Sequence, residues 1–186
     1  VIRLYNIESK KNIAVTDDWY NSGRPAFSPD GKLLYFVSER DFNPVYSNTE
    51  WNHAYIDMSK PYMVRLSAGT ASPFRVENDE VTIKENNSNT EKTGSKKDKD
   101  KAAKKPEAQT DTIPEVKIDE AGLTDRIESL SVKPGNYYNL TATNKGLYYV
   151  AASFRMPGSL RFFDLEDKKE TGLGDINNYS ISQDQK

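Results

Sequence analysis

The chain has one histidine, His53, placed between Trp51 and Tyr55, with Asp57 four residues on and Ser47 and Ser59 close by in sequence. A hydrolytic reading makes His53 a general base, oriented by a carboxylate and serving a serine nucleophile. No Gly-x-Ser-x-Gly elbow or equivalent turn frames any serine, so no catalytic residue is assigned. The surrounding run, 40–62, carries Arg40, Phe42, Tyr46, Trp51, His53, Tyr55 and Tyr62 without strand or helix periodicity. Aromatic and cationic side chains on a loop suit ligand contact; the alternative is that Trp51 and Tyr55 pin a long loop onto the strands beneath. Arg155, in Ser153-Phe154-Arg155-Met156-Pro157, follows an aromatic apolar run by a few residues, as Arg40 follows Leu33 to Ser38. The two arginines should therefore project from one rim, where they could engage a peptide carboxylate or line a channel. Arg40, Trp51, His53, Tyr55 and Arg155 are the candidate substrate-binding residues.

Other chemistries find little support. With a single histidine and no cysteine, a metal site would need mostly carboxylates, which suits calcium better than zinc. Asp17-Asp18 and Asp30-Gly31 lack the spacing of a calcium-binding loop, and turn chemistry accounts for the Asp-Gly pair. Gly172-Leu173-Gly174-Asp175 opens no helix and so forms no phosphate cradle. No metal and no cofactor are expected. A net charge of −2 offers no field to attract nucleic acid, and no apolar run approaches bilayer-spanning length. The absence of cysteine excludes disulfide scaffolds and thiol nucleophiles and leaves the compartment open.

The elements that must position these residues read as strands. An aromatic fraction of 11% favours pleated surfaces, while an apolar fraction of 35% is low for a fully packed domain. Ile2 to Ile7 alternates apolar and polar, a polar turn follows, and Ile13-Ala14-Val15 completes a hairpin. Pro29-Asp30-Gly31-Lys32 is a turn between Arg24–Ser28 and the apolar strand Leu33–Ser38. Further strands are expected at Pro61–Leu66 and around Arg126–Val132. Phe27, Leu34, Phe36, Leu147, Tyr149 and Val150 are expected to share equivalent core positions.

The units repeat. Ile2-Arg3-Leu4-Tyr5-Asn6-Ile7-Glu8 matches Leu160-Arg161-Phe162-Phe163-Asp164-Leu165-Glu166, and each is followed by a lysine pair. Lys32 to Ser38 matches Lys145 to Ala151, and Phe27–Lys32 returns, degraded, as Ile181–Lys186. Repeats imply units that bury their faces by stacking on neighbours. Their spacing suits four-stranded propeller blades. The expected fold is all-β: an incomplete β-propeller of about two to three four-stranded antiparallel blades, spanning 1–186 as a fragment of a longer multidomain chain. Its open edges make a homo-oligomer one way to cover the missing blades. Residues 84–114 break the pattern with a Lys-, Asp- and Asn-rich run almost devoid of apolar side chains, and are expected to be a disordered insertion.

Phe27-Ser28-Pro29-Asp30-Gly31-Lys32 before an aromatic strand resembles the repeat of TolB-type propellers. Ser38 to Pro44, Thr49-Glu50-Trp51-Asn52-His53, and above all Thr124-Asp125-Arg126-Ile127 running to Pro134-Gly135-Asn136-Tyr137, are similar to propellers of tricorn-type proteases, especially bacterial ones. The resemblance spans nearly all of the chain except the Lys-rich run. It implies a non-catalytic propeller segment of a serine peptidase, whose nucleophile lies in a separate domain related to C-terminal-processing peptidases. Implied partners are peptides or unfolded polypeptide, the remaining blades, and PDZ-like and catalytic domains of the same chain. Bacterial members of this look favour an exported, periplasmic setting. The alternative reading is a stand-alone TolB-like module for protein–protein interaction.

Overall fold

The alternating residues at the start of the chain form a hairpin of β1 (Arg3–Tyr5) and β2 (Asn12–Ala14), with Leu4 opposite Ile13. The computed structural model describes residues 1–41, 45–46, 53–54, 56–75, 114–154 and 156–182. After the hairpin come β3 (Ser22–Phe27) and β4 (Leu33–Ser38), a small antiparallel pair β5 (Val45–Tyr46) and β6 (His53–Ala54), then β7 (Lys60–Arg65) and β8 (Ile127–Ser129). The last sheet is built from β9 (Asn136–Ala142), β10 (Gly146–Ser153), β11 (Met156–Asp164) and β12 (Lys169–Gly174). Two four-stranded antiparallel meanders result, β3-β4-β7-β8 and β9-β10-β11-β12, each the pattern of a propeller blade. Both belong to one compact unit comprising Val1–Arg75 and Pro114–Lys186. The expected insertion falls in the connection between the paired strands β7 and β8, and its residues 84–113 lie outside the described ones.

The turn before β4 is built from its own side chains. Ser28 Oγ donates to Asp30 Oδ1 at 2.6 Å and accepts the Leu33 N–H at 2.9 Å, while Asp30 Oδ1 also takes the Lys32 N–H at 3.1 Å. Gly31 has φ +67°, a conformation open to glycine at little cost. At the matching turn before β10, Gly146 is required for a different reason: a Cβ there would stand 2.0 Å from the Phe163 carbonyl oxygen.

Every residue of β4 is buried, which explains its unbroken apolar run. Leu34 and Phe36 pack with Ile2, Leu4 and Val15 of the hairpin side and with Tyr62 and Val64 of β7. Leu33, Tyr35 and Val37 turn the other way, onto Tyr137, Leu147, Tyr149 and Phe163 of the second blade. The first blade is thus covered on both faces. Two core expectations need correction. Phe27 is 47% exposed, because it ends the edge strand β3 and lies outside the cluster that buries its partner Leu34. Val150 is fully buried, but strand alternation puts it on the opposite face from Leu147 and Tyr149.

The sequence repeat holds at the level of register. Leu4 opposes Ile13 as Phe162 opposes Thr171, and Tyr5 opposes Asn12 as Phe163 opposes Glu170. Asn6 Oδ1 accepts the N–H groups of Glu8 and Ser9 at 3.0 and 2.8 Å, and Asp164 Oδ1 those of Glu166 and Asp167 at 2.8 and 3.0 Å. Lys10 and Lys168, at the same place in the two turns, have φ of 54° and 55°. The opening hairpin therefore has the geometry of the outer two strands of a blade.

Candidate functional site

The two sheets approach most closely where the edge strand β9 meets β3 and β4. Both edge strands carry the same irregularity. Arg24-Pro25 bulge opposite Phe36, between the pairs Gly23–Val37 and Ala26–Tyr35; Asn139-Leu140 bulge opposite Tyr149, between Tyr138–Val150 and Thr141–Tyr148. Arg24 and Asn139 hold equivalent positions and the same left-handed backbone, with φ of 56° and 55°. Such bulges bend a strand and re-aim its side chains. The Arg24 guanidinium lies 6.0 Å from the Tyr138 ring centroid, bridging the two inner strands. Asn139 Nδ2 donates to Asn178 Oδ1 at 2.7 Å, and the Asn139 carbonyl accepts the Tyr179 hydroxyl.

From Arg24 and Tyr138 a polar groove of about 360 Å³ runs between the blades, past Asn21, Ser22, Glu39, Ser59 and Asn136. Glu39, Ser59 and Asn136 also line a second hollow that reaches Asp57 and Phe154. Asn21 Nδ2 donates to Glu39 Oε2 at 2.9 Å, and the Ser22 and Ser38 hydroxyls are 2.9 Å apart. Asp57 closes the far end. Its Oδ1 accepts Asn136 Nδ2 at 2.6 Å, and its two oxygens accept the Phe154 N–H at 3.1 and 3.0 Å. The carboxylate that a histidine-based hydrolytic reading would enlist is thus committed to holding the β10–β11 turn against the first blade. Ser59, the nearby serine, is buried and exchanges backbone hydrogen bonds with Gly135 at 3.1 and 2.9 Å.

Of the residues singled out from sequence, Arg40 is fully described. Its guanidinium stands over two rings, 5.3 Å from the centroid of Tyr20 and 5.8 Å from that of Tyr62, and Nε donates to Ser38 Oγ at 3.2 Å. Neighbouring Asp41 accepts Lys60 Nζ at 2.7 Å and the Tyr62 hydroxyl at 3.0 Å. Burial first, and then this bond to Asp41, push the Tyr62 hydroxyl well above the ordinary tyrosine range. His53 belongs to β6, paired with Tyr46 of β5. Trp51, Tyr55 and Arg155 lie outside the described residues.

Sequence reasoning missed Arg24 and Asn139, since an isolated polar residue in a strand carries no signal for a bulge, and it named Asp57 only as an acid near His53. It also missed why Asp125-Arg126-Ile127 is a motif. Arg126 is 8% exposed, with Nε on the Arg65 carbonyl at 2.9 Å, Nη1 on that of Ala121 at 2.7 Å, and Nη2 on those of Leu66 and Asp119. It ties the chain re-entering after residue 113 to the end of β7, a structural role.

Comparison with known proteins agrees with this architecture. A solved crystal structure of the tricorn protease superimposes with a TM-score of 0.68 over 98% of this chain and 16% of that one, at 19% identity, a likeness of fold. "Tricorn protease homolog 1" of Streptomyces coelicolor is 28% identical over 177 residues, covering 87% of this chain and 15% of that protein. "Tricorn protease homolog" of Saccharolobus solfataricus is 25% identical over 193 residues, covering 98% of this chain and 15% of that protein. The chain thus spans about 15% of the length of these curated relatives. The family model described as "Tricorn protease second beta propeller domain" matches residues 1–186, and the chain belongs to that family.

Proposed function

We propose that the two blades form part of the wall of a propeller channel that admits polypeptide to, or releases it from, the catalytic domain of a tricorn-like serine protease, and that helps to position that domain. The observation that carries this reading is the repeated bulge. Two successive blades turn the same point of their innermost strands into a left-handed kink and place a polar side chain there, Arg24 in one and Asn139 in the other. A wall assembled from repeating blades presents equivalent groups to whatever passes along it. The groove beside Arg24 offers amide, hydroxyl and carboxylate groups, which suit peptide backbone more than any one side chain. Arg40 and the other sequence candidates Trp51, His53, Tyr55 and Arg155 belong to the same proposal as rim contacts, and the 84–114 run as a disordered insertion.

The test uses the full-length protein that carries this chain. Arg24→Trp should lower kcat/KM for peptides of a dozen residues or more by about tenfold, while leaving turnover of a short chromogenic substrate unchanged. Equal loss for both substrates, or none for either, would sink the access role. A full-length protein that lacks peptidase activity altogether while still capturing protein partners would favour the stand-alone interaction module.

A further inference from the structure

Beside the groove, with which it shares Tyr137, a larger cleft of about 770 Å³ opens between the β8–β9 connection and the β10–β11 hairpin. That size lies within the range of ordinary small-ligand sites. Val132, Ala151, Met156 and Pro157 give it apolar walls, and Arg161 and Glu170 lie among its lining groups. Glu170 is fully engaged: Oε2 takes Arg161 Nη1 at 2.6 Å and Oε1 takes the Tyr149 hydroxyl at 2.6 Å. The Arg161 guanidinium is not. Its Nε is buried and has no hydrogen-bond partner among the described residues. In a planar guanidinium, Nε and Nη2 share the edge turned away from Nη1, and that edge is the fork that takes a carboxylate in bidentate fashion. A buried donor left unpaired costs free energy that an entering acceptor recovers. Lys133, exposed at the mouth of the cleft, adds a second positive charge; Asp175, also at the mouth, offsets it and leaves the Arg161 edge as the acceptor-seeking feature of the interior.

The geometry points to this cleft as a binding site for the carboxylate end of a short peptide with an apolar last side chain, the carboxylate reaching the unpaired edge of Arg161 and the side chain against Val132, Met156 and Pro157. That the ligand is a peptide rests on the channel reading above; that it is an apolar carboxylate rests on the cleft itself. In the blade that precedes it, the positions of Tyr149 and Arg161 are filled by the stacked pair Phe36 and Tyr62.

The experiment measures binding of N-acetyl-Ala-Ala-Leu as the free acid and as the C-terminal amide to the full-length protein that carries this chain, by isothermal titration calorimetry. The free acid should bind measurably, and the amide should bind about tenfold more weakly or worse. Ser159→Phe, which fills the cleft and leaves both members of the ion pair in place, should abolish binding of the acid while leaving the thermal midpoint near that of the parent. Arg161→Lys, which keeps the charge and removes the fork, should weaken the acid toward the level of the amide. Equal affinity for acid and amide, no binding of either, or binding that survives Ser159→Phe would each overturn the site. None of these outcomes bears on the long-peptide selectivity that tests the channel, so the two ideas fail separately.

Discussion

The two blades share topology, register and bulge, yet differ in what fills one corresponding set of positions. In the first blade Phe36 faces Tyr62 across the β4–β7 pair, with Ile127 opposite Val64, and the rings of Phe36 and Tyr62 stack at 5.9 Å. In the second, Tyr149 faces Arg161 and Glu170 lies opposite Phe163, and the three polar residues form a hydrogen-bonded chain. Burial first, and then the bond to Glu170, drive the Tyr149 hydroxyl far above the ordinary tyrosine range, so it stays a donor at any physiological pH. The lesson is that one backbone template tolerates either an apolar filling or a satisfied polar network at the same place. The polar one has the larger described cleft beside it, and three directional partners cannot close space as freely as stacked rings.

The comparison can be broken most decisively at Phe36. It is wholly buried, so Phe36→Ala should cost about 3–5 kcal/mol in urea unfolding, whereas Tyr149→Phe, which removes a hydroxyl from a network, should cost about 1–2 kcal/mol. A reversed order would mean that the polar network, not the apolar layer, organises the stack.

The second test addresses the network as a unit. Glu170→Ala leaves Arg161 partly buried without its anion, and with side chains 33% and 21% exposed the loss should be about 1–2 kcal/mol, below that of a fully buried pair. Grafting the first blade's filling, Tyr149→Phe with Arg161→Tyr and Glu170→Ile, should recover most of this loss. A graft less stable than Glu170→Ala alone would show that the two blades are not interchangeable templates.

The bulges allow a finer distinction. Arg24 holds a left-handed backbone that costs a residue with a Cβ about 1 kcal/mol, so Arg24→Gly should stabilise the first blade by up to that amount. Asn tolerates the conformation better, and Asn139→Gly also removes the bond to Asn178, so it should be neutral or slightly destabilising. Equal responses in thermal midpoint would count against a difference between the bulges.

The smallest effect concerns acid. Burial tends to raise the Asp30 carboxyl, but hydrogen bonds from Ser28 and Lys32 and the Lys32 charge outweigh it and leave its pKa below the usual value. A depressed carboxyl contributes stability that is present above the unfolded value, about 3.9, and disappears as pH falls through the lower folded one. Parent and Asp30→Asn should therefore differ in urea midpoint at pH 6 and converge toward pH 3. The corresponding turn of the second blade relies on Thr143, whose N–H and hydroxyl both reach the Gly146 carbonyl, and Thr143→Ser should show no such pH dependence.

Much of this was legible in the residues. Turn chemistry at Pro29–Lys32, the alternation of β1 and the apolar run of β4 depend on local preferences, and repetition of the same letters at the same spacing announced repeated blades. Local physics and the spacing of like segments therefore determined the strands, their order and the family of fold. What only the tertiary structure decided depends on neighbours that are distant in sequence. Phe27 reads as core and is half exposed because nothing stacks on an edge-strand terminus. Asp57 reads as an acid beside a histidine and is in fact an inter-blade tie. Arg161 and Glu170, nine residues apart, carry no pairing signal in the sequence and meet Tyr149 in a half-buried network. Which polar side chain a fold uses for structure and which it leaves open to a ligand is set by the partners that packing brings within about 3 Å, and no one-dimensional pattern records those.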